Sequence, residues 1–234
     1  MKKNLVTLAI AGVLVTGVAQ AATYEAGDFV VRGGITSVNP DNNKEVVNVE
    51  ALGGATPLSV SVKDDEQLGL NFVYFIDSNW ALEVLAATPF NHDINIHDPQ
   101  SISPDLFGTD VDGAVLADVT HLPPTVSALY YFDTGSNFMP YVGVGLNYTV
   151  FFEEDFKDGP SDLGFNDLEL DDSFGLAVQL GADYQLNDNW HVNASVRYID
   201  IDTTATFKIG DDITGSADVA IDPMVYSVML GYKF

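Results

Sequence analysis

Eight stretches of this chain alternate between apolar and other residues with period two, yet after residue 21 no stretch offers about 18 consecutive apolar residues. Period two is the mark of a β-strand with one greasy face. A helical crossing of a bilayer is therefore excluded, and the one other backbone that satisfies its own hydrogen bonds in lipid is a closed barrel. The alternating stretches are 28–35, 67–74, 80–87, 121–132, 141–150, 175–185, 190–198 and 224–234. In the last, Met224, Tyr226, Val228, Leu230, Tyr232 and Phe234 form one continuous apolar and aromatic face that runs to the final residue.

The connections distinguish a membrane barrel from a soluble one. Asp77-Ser78-Asn79, Asp133-Thr134-Gly135-Ser136-Asn137 and Asn187-Asp188-Asn189 are tight polar turns. The other connections, roughly 39–66, 91–118, 153–171 and 210–219, are long, polar and mostly acidic. Short and long alternate strictly, as in outer-membrane barrels with short periplasmic turns and long outer loops. Trp80 and Trp190 open strands directly after short turns, and Phe132 and Phe138 flank the remaining one, a placement that suits an interfacial aromatic girdle. The fold class expected is all-β: an eight-stranded antiparallel up-and-down transmembrane β-barrel with short periplasmic turns and long extracellular loops.

Lys2 and Lys3 precede an apolar run from Leu5 to Val15, and Ala19-Gln20-Ala21 follows as a small-residue cleavage pattern. Residues 1–21 therefore read as a secretory signal peptide that is cleaved, and 22–234 as one barrel domain in the bacterial outer membrane. There is no cysteine, so an exported chain must hold by packing and hydrogen bonds, and thiolate metal sites are excluded. The formal net charge of −25 makes nucleic acid an improbable partner, because phosphate binding depends on clustered Lys and Arg. A hydrophobic fraction of 47% at that charge fits neither a disordered chain nor an ordinary acidic soluble protein.

The second face of the strands mixes glycine with Arg32, Glu83, Gln179, Asp183 and Arg197. Small and polar residues suit the crowded lumen of a narrow barrel, and Arg32 and Arg197 opposite Glu83 and Asp183 would form a charge-balanced lumen network. A soluble lipocalin-like binder would need these faces inverted.

The segments "YEAGDFVVRGG", "LEVLAATPFNHDI", "HLPPT", "PYVGVGLNYTVFFEEDF", "LDDSFGLAVQLGADY" and "WHVNASVRYIDIDTTA" resemble the outer membrane protein W family, in order, along nearly the whole chain after residue 21. The resemblance implies an eight-stranded outer-membrane barrel of Gram-negative bacteria with a narrow hydrophobic channel for passive uptake of small hydrophobic molecules. It also implies that some members serve as bacteriocin or phage receptors, and the alternative reading is a non-transporting surface protein that acts as a membrane anchor or as such a receptor through its acidic loops.

Leu85, Phe90 and Phe174, with Tyr131 and Tyr141, are the candidate lining of an apolar pocket toward the outside. Strict parity puts Phe174 on the lipid face, so its inclusion requires a bulge near Asp172-Ser173. Whether these residues line a pocket or simply fill the barrel stays open. Pro123 and Pro124 cannot donate ladder hydrogen bonds and must interrupt the fourth strand, either as a lateral opening in the wall or as an ordinary rim bulge. Tyr232 and Phe234 read as the C-terminal signal by which the barrel assembly machinery takes up such chains. The acidic run 153–172 reads as a solvated loop, with divalent cations bridging to lipopolysaccharide as the alternative. His92, His97, His121 and His191 show no ligand-type spacing, and no dinucleotide fingerprint or Gly-x-Ser-x-Gly elbow is present. No metal, no cofactor and no enzymatic activity are expected. The expected partners are outer-membrane lipid and lipopolysaccharide, the assembly machinery and small hydrophobic solutes.

Overall fold

The computed structural model describes residues 24–41, 45–49, 51 and 53–234. The signal-peptide reading of residues 1–21 lies outside the described residues. Along the chain run β1 (Phe29–Asn39), β2 (Glu45–Val49), β3 (Gly54–Val62), β4 (Asp65–Phe75), β5 (Trp80–Ala87), β6 (Phe90–His97), helix α1 (Ser103–Phe107), β7 (Val115–Leu122) and β8 (Thr125–Tyr131). They are followed by β9 (Phe138–Phe156), helix α2 (Asp158–Asp162), β10 (Phe165–Leu170), β11 (Ser173–Gln185), β12 (Trp190–Ile199), β13 (Asp202–Ile209), β14 (Ile213–Ala220) and β15 (Met224–Lys233).

The strands β1, β4, β5, β8, β9, β11, β12 and β15 pair antiparallel, each with the next, and β15 pairs with β1, so the ring closes. The closing seam runs in unbroken register from Val30 opposite Lys233 to Asn39 opposite Met224. Closure removes every sheet edge, which lipid requires. The apolar face predicted for each stretch points outward: Ile35, Leu68, Val126, Val144, Leu176, Leu180 and Val228 are all exposed. At the lower rim, Trp80 packs edge-on against Tyr130 at 5.0 Å and Trp190 against Tyr232 at 4.9 Å. Phe234 continues the closing strand, its N–H donating to the Phe29 carbonyl at 2.9 Å, with its ring 4.8 Å from Tyr232.

Two of the short turns are built alike. The Asp77 carboxylate accepts from the N–H groups of Asn79 and Trp80, both at 2.8 Å, and the Asn187 carbonyl oxygen accepts from Asn189 and Trp190, both at 3.0 Å. Such side-chain closure of a turn is why Asp and Asn lead these segments.

The long connections are not loops. They fold into a second sheet in the order β10-β13-β14-β2-β3-β6-β7-β9, a collar above the membrane ring that shares the 19-residue strand β9 with it. In the collar the apolar residues face inward: Val47, Leu58, Val60, Ile96, Phe165 and Phe207 form one buried cluster. Charged pairs decorate its outside, with Lys63 to Asp93 at 3.0 Å, Lys157 to Asp118 at 2.7 Å and Lys208 to Asp167 at 2.8 Å.

Candidate functional site: a polar plug beneath an apolar funnel

Parity along the ring strands sends Arg32, Glu83, Gln179, Asp183, His191, Asn193 and Arg197 into the lumen, where all are buried. The Arg32 guanidinium donates to the Asp183 carboxylate at 2.7 Å, to Glu83 at 3.4 Å, to the Tyr131 oxygen at 2.5 Å and to Nε2 of His191 at 3.2 Å. Arg197 donates to Glu83 and Gln179, while Gln179 and Asn71 donate to Glu83 at 2.8 and 2.9 Å. Asp183 also accepts from Asn193 at 2.7 Å and from the Tyr24 hydroxyl at 2.8 Å. Two guanidinium groups thus face two carboxylates that accept from several donors, the condition under which charges tolerate burial.

Below this network, Tyr24 folds under the barrel and stacks on Phe75 at 3.8 Å, packed with Tyr131, Met139 and Tyr141. Glycine makes the room: a Cβ on Gly181 would strike the Tyr141 ring, and one on Gly231 would strike the His191 ring. The lower lumen is a filled plug.

Above it the chemistry inverts. The collar encloses a cavity of about 490 Å³ lined mostly by aliphatic and phenyl side chains, among them Val49, Leu58, Ile96, Leu116, Phe151, Phe156, Phe165 and Phe207. Phe156 reaches the cavity because of a bulge. Glu153 adopts φ 52° and the β7–β9 register shifts there, so the inward face passes from odd to even residues along β9.

Besides Asp162 of α2, the polar side chains of the cavity lie at its floor. His92 and His121 line it, with ring centroids 4.9 Å apart, stacked in a pile with Phe90 and Phe151. They lie above the lipid-facing band, which ends near Leu68, Val126, Tyr148 and Phe174. Burial pushes the His121 imidazole down to about 3, with His92 beside it acting in the same sense, and burial also lowers His92. Both rings are neutral at physiological pH.

The wall is interrupted beside this floor. Pairing between β5 and β8 ends at Leu85 opposite Thr125, and pairing between β6 and β7 begins at Phe90 opposite His121. Between these points no ladder pair joins 86–89 to 122–124 among the described residues. The opposite flank is sewn: Tyr148 N–H donates to the Pro124 carbonyl at 3.1 Å, and the Asn147 amide donates to both proline carbonyls at 3.2 Å. Pro123 and Pro124 therefore break the wall on one side only.

The residues proposed from sequence as one pocket are placed at different heights. Phe90 is buried in the cluster directly beneath the cavity, and Leu85 is buried in the lumen. Tyr131 and Tyr141 belong to the plug. Phe174 does not line the lumen: it is 68% exposed, because β11 keeps unbroken register with β9 through Phe174 opposite Tyr148 and no bulge turns it inward. The lining comes from segments 47–62, 92–121, 151–170 and 205–221, which overlap the long connections 39–66, 91–118, 153–171 and 210–219 that the sequence presents as mostly acidic. "LSVSV" at 58–62 and "DVAI" at 218–221 carry the period-two signal that could have revealed it. The histidines, scattered in sequence, are also brought together in part, by the pairing of β6 with β7. No group of three or more His, Asp or Glu side chains poised for a metal occurs among the described residues.

The model of the OmpW family matches residues 25–234. The chain belongs to the OmpW family. It is 44% identical to the outer membrane protein W of Vibrio cholerae over the full length of both chains. Its fold is similar to the crystal structure of the outer membrane protein OprG from Pseudomonas aeruginosa, with a TM-score of 0.80 and 38% identity, covering 90% of this chain and 97% of that one. It is also similar to the outer membrane protein AlkL determined in lipid bilayers, with a TM-score of 0.64 and 26% identity, covering 94% and 96%. As an OmpW-family barrel it resides in the bacterial outer membrane.

Proposed function

We propose that the protein admits small hydrophobic molecules from outside through the collar and releases them sideways into the bilayer. The observation that carries this reading is the apolar cavity of about 490 Å³ standing on a closed polar plug. An apolar solute gains by leaving water for such a cavity, roughly 25 cal/mol for each Å² of its surface buried. It gains nothing by entering the plug, where it would have to separate paired charges. The break in the wall beside Pro123 and Pro124 lies just below the cavity floor, level with Leu68 at the upper edge of the lipid-facing band, and would supply an exit that leads to hydrocarbon rather than to the periplasm. In this reading the partners are the solutes, surrounding lipid and lipopolysaccharide, and the assembly machinery that would engage Tyr232 and Phe234.

The test is to close the wall. Replacing Pro123→Val and Pro124→Thr restores two backbone donors at the break, which alternate between its two flanks, and is expected to reduce entry of a hydrophobic fluorescent probe into cells several-fold at equal surface abundance. Uptake that stays at the wild-type rate rules out this exit.

A further inference from the structure

We infer that Phe90 is the door between the cavity and the break in the wall, and that the opening its ring leaves sets the upper size of solute that passes. The inference rests on the reading that apolar solutes leave sideways, and it names the residue that selects among them.

The cavity is shut from below. Phe90, His121 and Phe151 form one inward row across β6, β7 and β9, with Phe90 opposite His121 and His121 opposite Phe151. Neighbouring ring centroids are 5.6 and 5.8 Å apart, and Phe90 and His121 are each only 2% exposed. The break lies immediately beneath this row, so a solute held in the cavity reaches it only if a ring moves.

The three rings are not held alike. His121 sits between the other two, and its strand is paired on both sides at that point. Phe151 belongs to β9, which runs on unbroken below it and is laddered to β11 from Thr149 downward. Phe90 opens β6 directly after Thr88 and Pro89, which are exposed and join no ladder pair. On its other flank β6 pairs with β3 only at Ile94 and beyond, so Phe90 is laddered on one side alone. Proline stands beneath the row on both strands, Pro89 before Phe90 and Pro123 and Pro124 after His121. None of the three has an N–H to donate, which keeps the chain under Phe90 unzipped.

The surroundings keep the cost of the motion low. A phenyl ring that swings out through the break leaves the buried cluster of Val62, Val119, Ile201 and Val225 for lipid hydrocarbon at the height of Leu68. It exchanges one apolar medium for another and escapes the penalty of exposure to water. The aperture behind it has the dimensions of one phenyl ring, which a slender solute fits and a broad, rigid one does not. Phe90 thereby selects on width.

The test compares two hydrophobic fluorescent probes, the smaller N-phenyl-1-naphthylamine and the broader, fused-ring Nile red. Their entry is measured into cells that display each full-length variant at equal surface abundance, with cells lacking the protein subtracted. Phe90→Ala is expected to raise the ratio of Nile red to N-phenyl-1-naphthylamine entry about tenfold, the effect that a misfit of a few carbon atoms produces in an apolar site. Phe90→Trp is expected to lower the ratio below wild type. Phe90→Leu, a smaller change of volume, is expected to shift it in the same direction as alanine and decides the matter if the alanine variant assembles poorly. Phe151→Ala deletes an equal ring from the unbroken side of the row and is expected to leave the ratio at its wild-type value, which a general loosening of the floor would not. Adding Pro123→Val and Pro124→Thr to Phe90→Ala is expected to abolish the gain. A ratio unmoved by the changes at residue 90, one moved equally by Phe151→Ala, or a gain that survives closure of the wall overturns the door while leaving the sideways exit standing. If the two proline changes by themselves leave entry at the wild-type rate, the exit fails and the door fails with it.

Discussion

The membrane ring and the collar are built from the same alternation with opposite sense. In the ring, Val144, Leu176 and Val228 face out and Arg32, Glu83 and Asp183 face in; in the collar, Leu58, Val60 and Phe207 face in while Lys63, Asp93 and Lys208 face out. One strand shows the inversion within itself. Lower β9 turns Tyr141 and Asn147 inward and Leu146 outward, whereas above the bulge at Glu153 it turns Phe156 toward the cavity. The difference follows from the outer medium. Hydrocarbon accepts apolar side chains on the outside and confines charges to the lumen, where they must pair; water accepts charges on the outside and drives apolar groups into the lumen. The proposed function depends on the join between the two regimes, because an apolar solute entering the collar would meet a polar plug where the ring begins.

The largest expected effect comes from unbalancing the ring's interior. Arg32→Met leaves Asp183 without its guanidinium partner and removes one donor from Glu83, which is expected to cost about 3–5 kcal/mol. Urea unfolding in lipid vesicles measures it. Adding Asp183→Leu to that variant should cost less than the two single changes summed, since the second removes the orphaned charge.

Next, one substitution made at two heights tests whether the outer media differ as described. Val178→Arg, midway along the lipid-facing band, is expected to destabilise by about 2–4 kcal/mol, whereas Thr206→Arg on the collar's exterior should stay within about 0.5 kcal/mol. Comparable losses at both positions would mean that the collar too is immersed in lipid.

The smallest effect concerns the collar's surface charge. The hydrogen bond from Lys157 holds the Asp118 carboxyl below its usual range, so the stability this pair contributes is present above about pH 4 and is lost as pH falls through the lowered value. The pair is partly exposed, so the loss should be only a few tenths of a kcal/mol, and Asp118→Asn should abolish that portion of the pH dependence. A larger acid-induced loss that survives this substitution would place the sensitive groups elsewhere.

The ring was legible residue by residue, because each strand repeats one pattern and a single parity error would put a charge into lipid. The lumen quartet Arg32, Glu83, Asp183 and Arg197 could be assembled from that parity alone. The pocket was not legible in the same way. Its lining is spread over four segments in which acidic residues outnumber the short apolar runs, so "FFEEDFKDGPSDLGFNDLELDD" read as solvated although Phe156, Phe165, Leu168 and Leu170 line the cavity. Lumen parity puts Tyr131 and Tyr141 on the inner face, and Phe174 joins them only with a bulge near Asp172-Ser173, but height along the barrel axis depends on strand tilt and register.

By itself the sequence determined the closed eight-stranded ring, its direction in the membrane relative to its short turns, and the polarity of its two faces. Those properties follow from period two and from the cost of an unpaired backbone or charge in hydrocarbon, both of which act strand by strand. The tertiary structure decided what no single strand carries: the folding of the long connections into a collar, the parity switch at Glu153, the one-sided break beside Pro123 and Pro124, and the stacking of His92 on His121. Each of these depends on which strand lies beside which and at what offset, quantities set by pairing across the whole ring.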